Sequence, residues 1–171
     1  LIDLEDKTLG IIGVGTIGKR VTDIARAFGM TVLWAEHQGC EPRNQDYTAF
    51  DEVLATSDII SLHCPLTKQT EHLINKETLA KMHKQPLIVN VARGSIVDAQ
   101  ALTDAINSEQ IIGYGSDVFE QEPIAADDPL HSLSKHPRVI FSPHNAWGSE
   151  SAQITLWNIL SKQVADFIDN S

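Results

Sequence analysis

The sequence predicts an α/β fold in which helices cover both faces of a doubly wound parallel sheet. Short apolar runs alternate along the chain with segments whose apolar residues recur at helical spacing. These runs are apolar at nearly every position, which is typical of strands buried on both faces of a sheet. The first run, within residues 8–18, ends in three glycines, a pattern that favours a tight turn from a strand into a helix.

The first elements have the size of one βαβ unit. Apolar residues recur at helical spacing from Ile17 to Phe28, and Gly29 is placed to end the helix. Residues 31–36 form a β-branched and aromatic run of strand length that ends on an acid, Glu36. A unit of about 30 residues is the size expected for mononucleotide binding.

The later elements follow the same order of strand and then helix. A polar loop is expected at residues 37–47 and a short helix near residues 50–54. Further strands are predicted at residues 58–64, 86–91, 111–118 and 138–142, and helices at residues 75–83 and 98–107. Residues 120–137 predict a long proline-rich loop, and a C-terminal helix with a broad apolar face is expected from near Ser149.

Composition places the chain among globular proteins with one core. It has 171 residues, 42% of them hydrophobic and 21% charged, so we expect residues 1–171 to form one domain. The net charge of −10 includes no basic block, which argues against nucleic acid or an anionic membrane as a partner. No apolar run approaches the roughly 18 residues of a membrane-spanning helix and no signal peptide is evident, so a cytoplasmic location is expected.

The cysteine and histidine patterns argue against disulfide and metal sites. Cys40 and Cys64 are too few for a disulfide framework or a zinc site. The seven histidines lack metal-ligand spacing, so no metal is expected. The sequence starts at Leu1 and not at Met, directly before the first predicted strand, which suggests a piece of a longer protein.

The three glycines have the order GxGxxG that is typical of dinucleotide-binding turns. Gly13 allows the tight turn, Gly15 lets the backbone approach a pyrophosphate, and Gly18 lets the helix pack close to the strand. The helix that begins at this turn would offer its free N–H groups to the phosphates. We therefore expect coenzyme contacts from this turn, at Gly13, Gly15, Thr16, Ile17 and Gly18.

Glu36 favours NAD over NADP as the dinucleotide. It lies 18 residues after Gly18, where a Rossmann fold places the acid that accepts hydrogen bonds from the adenosine ribose. A carboxylate there would repel a 2′-phosphate. His37 could soften this preference when protonated. The alternative is a solvated acid at the end of a strand.

The ends of four later strands carry polar clusters, and ligands of such sheets bind beyond the carboxyl ends of the strands. The motifs GVGTIG, SLHCPLT, NVARGSIVD, DVFEQEP and SPHNAWGS follow in that order, with Thr70 after the second. Together they closely resemble the D-isomer-specific 2-hydroxyacid dehydrogenase family over nearly the whole chain. The HNAW variant resembles the glycerate dehydrogenase or hydroxypyruvate reductase branch most.

The resemblance implies that Arg93, Glu122 and His144 are catalytic, and residue chemistry supports these roles. Arg93 follows an apolar strand and precedes a glycine, so its planar fork could clamp a substrate carboxylate; the alternative is a surface salt bridge. His144 suits an acid/base role because its charge changes near neutral pH. Glu122 could stabilise its imidazolium, and would otherwise be a turn acid before Pro123.

The resemblance also implies contacts with an NAD coenzyme. Asp117 would accept a hydrogen bond from the nicotinamide carboxamide, or would otherwise cap its strand. Trp147 could be a wall of the substrate pocket or a packing residue. The other implied contacts are His63, Cys64, Pro65 and Thr70 on the adenosine side, and Val91, Ala92, Arg93 and His144 on the nicotinamide side.

The family resemblance implies hydride transfer between NAD(H) and a small 2-hydroxy or 2-keto acid, D-glycerate or hydroxypyruvate in this branch, by a homodimer. It also implies a second, substrate-binding domain that this sequence lacks, so we expect the chain to bind NAD but to turn over substrate poorly. An NAD-sensing, corepressor-like binding module is the competing interpretation. Formate dehydrogenases are a further enzyme alternative, although that branch has Gln where Glu122 stands.

Overall fold

The computed structural model describes residues 3–170 and shows one parallel sheet. Residues 1, 2 and 171 of the expected domain lie outside this range. Within it, seven strands pair in the order β3-β2-β1-β4-β5-β6-β7, and every pair is parallel. The strands are β1 (Thr8–Ile12), β2 (Thr31–Ala35), β3 (Tyr47–Thr48), β4 (Ile59–Leu62), β5 (Leu87–Asn90), β6 (Gly113–Ser116) and β7 (Val139–Phe141).

Helices lie on both faces of the sheet, as predicted. They are α1 (Thr16–Ala27), α2 (Phe50–Thr56), α3 (Lys76–Leu79) and α4 (Ala99–Asn107), and a further helix, α5 (Glu150–Asp169), follows β7 without burying any of its residues. On one face α1 packs on Leu9 and Ile11. On the other, α2, α3 and α4 bury a larger cluster with Ile60, Leu62 and Ile88 of the central strands. The two clusters confirm the doubly wound, Rossmann-type fold.

The strand order creates a crevice at the centre of the sheet. The chain runs outward from β1 to β2 and β3, and then crosses back to β4 on the other side of β1. Connections after β1 and β4 therefore diverge, and such a switch point is where open α/β sheets bind ligands. The first turn lies at this point.

Two elements, β3 and α3, differ from the sequence prediction, and a third, α5, forms but stays exposed. β3 was expected to be loop, because it is a two-residue edge strand with no hydrophobic run of its own. α3 is a single turn and not a helix over residues 75–83; an Asn75–Thr78 capping box begins it, and a turn then places Met82 in the core. α5 forms as predicted, but none of its residues is buried.

The apolar face of α5 is exposed in this structure. Trp157 is 65% exposed and Phe167 74% exposed, which is unusual for large apolar side chains on a 20-residue helix. No helix among residues 3–170 has both the length and the apolarity needed to cross a membrane.

Candidate functional site

In the glycine turn after β1, Gly13 and Gly18 are in close contact with neighbouring backbone, whereas Gly15 borders open space. Gly13 has a φ of 101°, and a Cβ there would lie 2.3 Å from the backbone nitrogen of Cys64. A Cβ on Gly18 would lie 2.4 Å from the carbonyl oxygen of Gly13, so α1 packs directly against the turn. A Cβ on Gly15 would meet no atom within 4 Å. The tight turn at Gly13 and the close helix packing at Gly18 agree with the sequence prediction, whereas the approach of a pyrophosphate to Gly15 stays a prediction.

The N-terminus of α1 begins directly after Gly15. No side chain caps the helix, and its first turn contains no acid. Thr16 and Ile17 are exposed there. Because the first N–H groups of a helix lack partners within it, this terminus suits an anionic group.

Glu36 follows β2 and is 4% exposed, so it is not a solvated acid. Its carboxylate accepts hydrogen bonds from the His37 backbone N–H at 2.8 Å, the Arg43 backbone N–H at 3.0 Å and Arg43 Nε at 2.6 Å, and it also contacts Arg43 Nη2. The Arg43 side chain and then the His37 N–H hold the pKa of Glu36 well below its usual range. The carboxylate is ionised, but the chain's own donors occupy it. Its role toward a ribose stays a prediction.

The residues predicted on the adenosine side lie in the loop after β4. His63 Nε2 lies 2.9 Å from Ser61 Oγ, whereas His63 Nδ1 is buried without a hydrogen-bond partner in the described part of the chain. Burial lowers the pKa of His63 and favours its neutral form. Burial also raises the pKa of the Cys64 thiol, which argues against a reactive cysteine. Since buried polar atoms normally have hydrogen-bond partners, the unpartnered Nδ1 of His63 indicates a place where a ligand could bind.

Thr70 closes the same loop. Its hydroxyl donates to the Pro65 carbonyl at 2.7 Å and accepts from the Thr67 backbone N–H at 2.8 Å. Thr70 therefore shapes the backbone that Pro65 presents. A direct contact of Thr70 with a coenzyme stays a prediction.

The turn after β5 presents Arg93. Asn90 is fully buried; its side chain accepts from the Ala92 backbone N–H at 3.0 Å and donates to the Arg93 carbonyl at 3.0 Å. Val91 and Arg93 are exposed, while Ala92 is buried. Arg93 Nη1 donates to the Ala92 carbonyl at 2.6 Å, and none of the ion pairs within residues 3–170 includes Arg93. The guanidinium is thus available for an anionic ligand, and the salt-bridge alternative is wrong.

Asp117 joins the end of β6 to the loop that carries His144. Its carboxylate accepts from Ser142 Oγ at 2.6 Å, the Asn145 backbone N–H at 3.0 Å and the Ala146 backbone N–H at 2.9 Å. Burial raises the pKa of Asp117, but the bonds from Ser142, Ala146 and Asn145 together lower it below its usual value. Asp117 therefore anchors this loop as an ion. Its contact with nicotinamide stays a prediction.

His144 and Glu122 come together although 22 positions separate them in the chain. His144 Nδ1 lies 2.7 Å from Glu122 Oε2, and Glu122 Oε1 accepts from the Phe119 backbone N–H at 3.0 Å. The bond to His144, and then that from Phe119, lower the pKa of Glu122. Because an ionised carboxylate only accepts, Nδ1 carries a hydrogen, and Nε2 remains for another partner. The predicted carboxylate–imidazole pair is present.

Trp147 belongs to the His144 loop and not to the core. It is 57% exposed, and its indole N–H donates to the His144 carbonyl at 3.0 Å. Packing in the core is therefore excluded for Trp147, and its place in the wall of a substrate pocket stays a prediction.

Two residues that bond to the predicted site residues escaped the sequence analysis. Arg43 lies in a polar loop with no motif around it, and nothing in the sequence signals its bond to Glu36. Asn90 offered a weak signal, since a polar residue at the end of an otherwise apolar strand needs buried partners.

The comparisons with known proteins agree with this geometry. The model of the family described as "D-isomer specific 2-hydroxyacid dehydrogenase, NAD binding domain" matches residues 1–146, which end before α5. A Haemophilus influenzae protein named as a 2-hydroxyacid dehydrogenase is 42% identical over 169 residues, covering 98% of this chain and 54% of that protein. The hydroxypyruvate reductase of Blautia hydrogenotrophica is 38% identical, with coverage of 100% and 53%.

A solved structure of an NAD-complexed dehydrogenase also matches this chain. The D-lactate dehydrogenase of Aquifex aeolicus, complexed with NAD and lactic acid, superposes with a TM-score of 0.88 at 34% identity and covers 99% of this chain and 55% of that one. Other relatives are named D-3-phosphoglycerate dehydrogenase and glyoxylate reductase, so their named substrates differ. The chain spans about half the length of the first curated relatives. The expected family and its NAD coenzyme are confirmed: the chain belongs to the D-isomer-specific 2-hydroxyacid dehydrogenases and corresponds to their NAD-binding domain.

Proposed function

We propose that the parent protein transfers a hydride between NAD(H) and the 2-carbon of a small 2-hydroxy or 2-keto acid, and that this chain carries the coenzyme site and the catalytic residues. The His144–Glu122 pair, at 2.7 Å, is the observation that carries the proposal. It joins an acid/base group to the carboxylate that orients it, on the same edge of the sheet as the glycine turn.

The catalytic roles follow from the donors and acceptors that each side chain leaves free. Arg93 binds the substrate carboxylate through its planar fork and orients the 2-carbon. His144 gives the proton at Nε2 to the carbonyl oxygen during reduction, and takes it from the hydroxyl during oxidation. Glu122 holds Nδ1 and so positions the ring. Bound NAD(H) supplies the hydride carrier.

The coenzyme is proposed to lie along the carboxyl edge of the sheet. Open space at Gly15, the uncapped terminus of α1 and the buried, unpartnered Nδ1 of His63 support this placement. Glu36 fits the ribose only if Arg43 moves away from its carboxylate. The proposed contacts are Gly13, Gly15, Thr16, Ile17, Gly18, Glu36, His63, Cys64, Pro65, Thr70, Val91, Ala92, Arg93, Asp117 and His144.

We propose D-glycerate and hydroxypyruvate as the substrate pair. The HNAW sequence at residues 144–147 and the likeness to a hydroxypyruvate reductase support this choice. Steady-state kinetics of the parent protein with hydroxypyruvate, glyoxylate and pyruvate tests it, and a higher kcat/KM for either of the others would contradict it. NADH binding by the parent protein without turnover would favour a binding module instead.

Fluorescence titration of the chain with NADH, NAD and NADPH tests the coenzyme site. Gly15→Val places a branched side chain in the space beside the turn, and we expect it to weaken NADH binding at least about 100-fold, or about 2.7 kcal/mol. Gly115→Val is the matched control, since a Cβ on Gly115 also meets nothing within 4 Å but lies in β6. Equal affinities for the two variants would contradict the placement.

Residues 1–171 are proposed to act as one domain and to form a homodimer in the cytoplasm. Exposed apolar residues on α1, at its C-cap and on α5, such as Ile24, Phe28 and Trp157, support self-association with a second copy. Light scattering tests the homodimer, and a monomer at every concentration would contradict it.

The free cysteines Cys40 and Cys64 support the cytoplasmic location, which cell fractionation tests. Coincident unfolding transitions by fluorescence and circular dichroism test the single domain.

A further inference from the structure

The bond between Glu36 and Arg43 leaves the proposed ribose acceptor no capacity for a ribose. A carboxylate offers about four lone-pair positions. Arg43 supplies three donors to Glu36, through its backbone N–H, Nε and Nη2, and His37 supplies its backbone N–H and lies 2.7 Å away through Nδ1. A ribose hydroxyl can therefore donate to Glu36 only if the Arg43 side chain first withdraws.

Arg43 itself still has donors to offer while it is bonded to Glu36. A guanidinium has five N–H groups. Nε and Nη2 contact Glu36, and Nη2 also lies 2.7 Å from His37 Nδ1. Both N–H groups of Nη1 are without a hydrogen-bond partner in the described range. The Arg43 side chain is 47% exposed, so these donors can be reached from solvent.

The surroundings of Arg43 hold its guanidinium at this place. Its carbon lies 4.4 Å from the centre of the Tyr47 ring, a cation–π contact. His37, with 72% of its side chain exposed, is beside it. The charge of Arg43 cancels that of Glu36, so this end of β2 does not repel a second anion as a lone carboxylate would.

We propose that Arg43 selects the coenzyme and makes the site accept NADP as well as NAD. This inference rests on the proposed coenzyme site. A 2′-phosphate on the adenosine ribose binds the free Nη1 donors of Arg43 while the pair with Glu36 stays intact. The unmodified ribose of NAD must instead displace Arg43 to reach Glu36. The pairing thus favours the phosphorylated coenzyme, opposite to the effect that Glu36 would have alone.

Titration with NADH and NADPH separates the effect of Arg43 on coenzyme choice from that of Glu36, because the two coenzymes report through the same nicotinamide fluorescence. We expect the wild-type chain to bind NADPH within about tenfold of NADH. Arg43→Ala frees Glu36 and removes the phosphate partner, so the ratio of the NADPH Kd to the NADH Kd is expected to rise at least about tenfold. Arg43→Lys, which keeps the charge but loses the fork, is expected to give an intermediate ratio.

Arg26→Ala is the matched control, because Arg26 is an exposed arginine in the last turn of α1. It is expected to leave the ratio unchanged, and melting curves by circular dichroism confirm that each variant folds. If Arg43→Ala weakens both coenzymes equally or leaves the ratio unchanged, Arg43 has only a structural role and the inference is wrong. If the wild-type chain binds neither coenzyme, the proposed coenzyme site fails, and this inference fails with it.

Discussion

At the scale of residues, three carboxylates of the site have lowered pKa values because the chain itself donates hydrogen bonds to them. Arg43 is the main donor to Glu36, Ser142 to Asp117 and His144 to Glu122. Each acid is therefore ionised at neutral pH. Asp117 and Glu122 bind partners 25 and 22 positions along the chain, and Glu36 binds one seven positions away, so these carboxylates fix loops as well as charges.

The His144–Glu122 pair makes the titration of Glu122 depend on His144. Because the pair stabilises ionised Glu122, its pKa is lower in the folded chain than in the unfolded one. The resulting stabilisation is complete above the unfolded pKa of about 4.3 and is lost as the pH falls through the folded value. We expect His144→Asn to raise the Glu122 midpoint, measured by carboxyl carbon NMR. His131→Asn is the control, and an unshifted midpoint in His144→Asn would contradict the pairing.

Asp117 should stabilise the His144 loop as an ion. Asp117→Asn replaces one acceptor oxygen by a donor, which cannot serve the three donors present, and we expect a loss of about 1–3 kcal/mol in the free energy of unfolding. Because the folded pKa of Asp117 is lowered, the loss should be constant above its unfolded pKa of about 3.9 and shrink as the pH falls below it. Urea denaturation measures this. A difference that grows in acid would contradict an ionised Asp117.

The residues that the sequence predicts best are those carried by motifs at strand ends. Strand order brings the loops of Glu122 and His144 to one edge, so their meeting follows once the parallel sheet is known. Arg43 could not be predicted in this way. A single arginine in an irregular polar loop has no spacing that ties it to Glu36, and only the folded loop shows the bond.

At the scale of elements, strands and helices with a continuous core face were predictable, and those without one were not. β1, β4 and β5 are buried apolar runs, whereas β3 has two residues and depends on pairing with Trp34 and Ala35. Residues 75–83 have helical spacing, but in the folded chain only one turn of this segment, α3, is helical. The apolar pattern of α5 predicted the helix correctly without showing what covers it.

The contact between α1 and β1 depends on Gly18. A Cβ there would lie 2.4 Å from a backbone oxygen that cannot move aside easily, so we expect Gly18→Ala to destabilise the fold by about 1–3 kcal/mol despite the better helix propensity of alanine. Urea denaturation provides the measurement. Gly15→Ala is the control, since its Cβ meets no protein atom and should change stability by less than about 0.5 kcal/mol. Equal stability of both variants would exclude this packing constraint.

At the scale of the whole molecule, the proposed catalytic residues lie open to water. The side chains of His144 and Glu122 are 41% and 37% exposed, and Arg93 is also exposed. The NAD coenzyme could be predicted from the sequence because the motifs that carry the family resemblance lie at the ends of strands in this chain, and the individual contacts stay predictions. On the substrate side, Trp147 is the one wall that the sequence suggests, and the structure leaves it 57% exposed.

An open site of this kind should bind coenzyme without efficient turnover. Arg93 can hold a carboxylate, but exposure to water screens that charge and leaves the bound acid free to reorient, and orientation contributes about 7–11 kcal/mol in such reactions. We expect hydroxypyruvate reduction by this chain at saturating NADH to be at least about 1,000-fold slower than by a full-length relative, since about 4 kcal/mol of orientation is enough for that loss. Absorbance of NADH gives the rate. His144→Asn sets the background, and a wild-type rate near that of the relative would show that this chain alone completes the site.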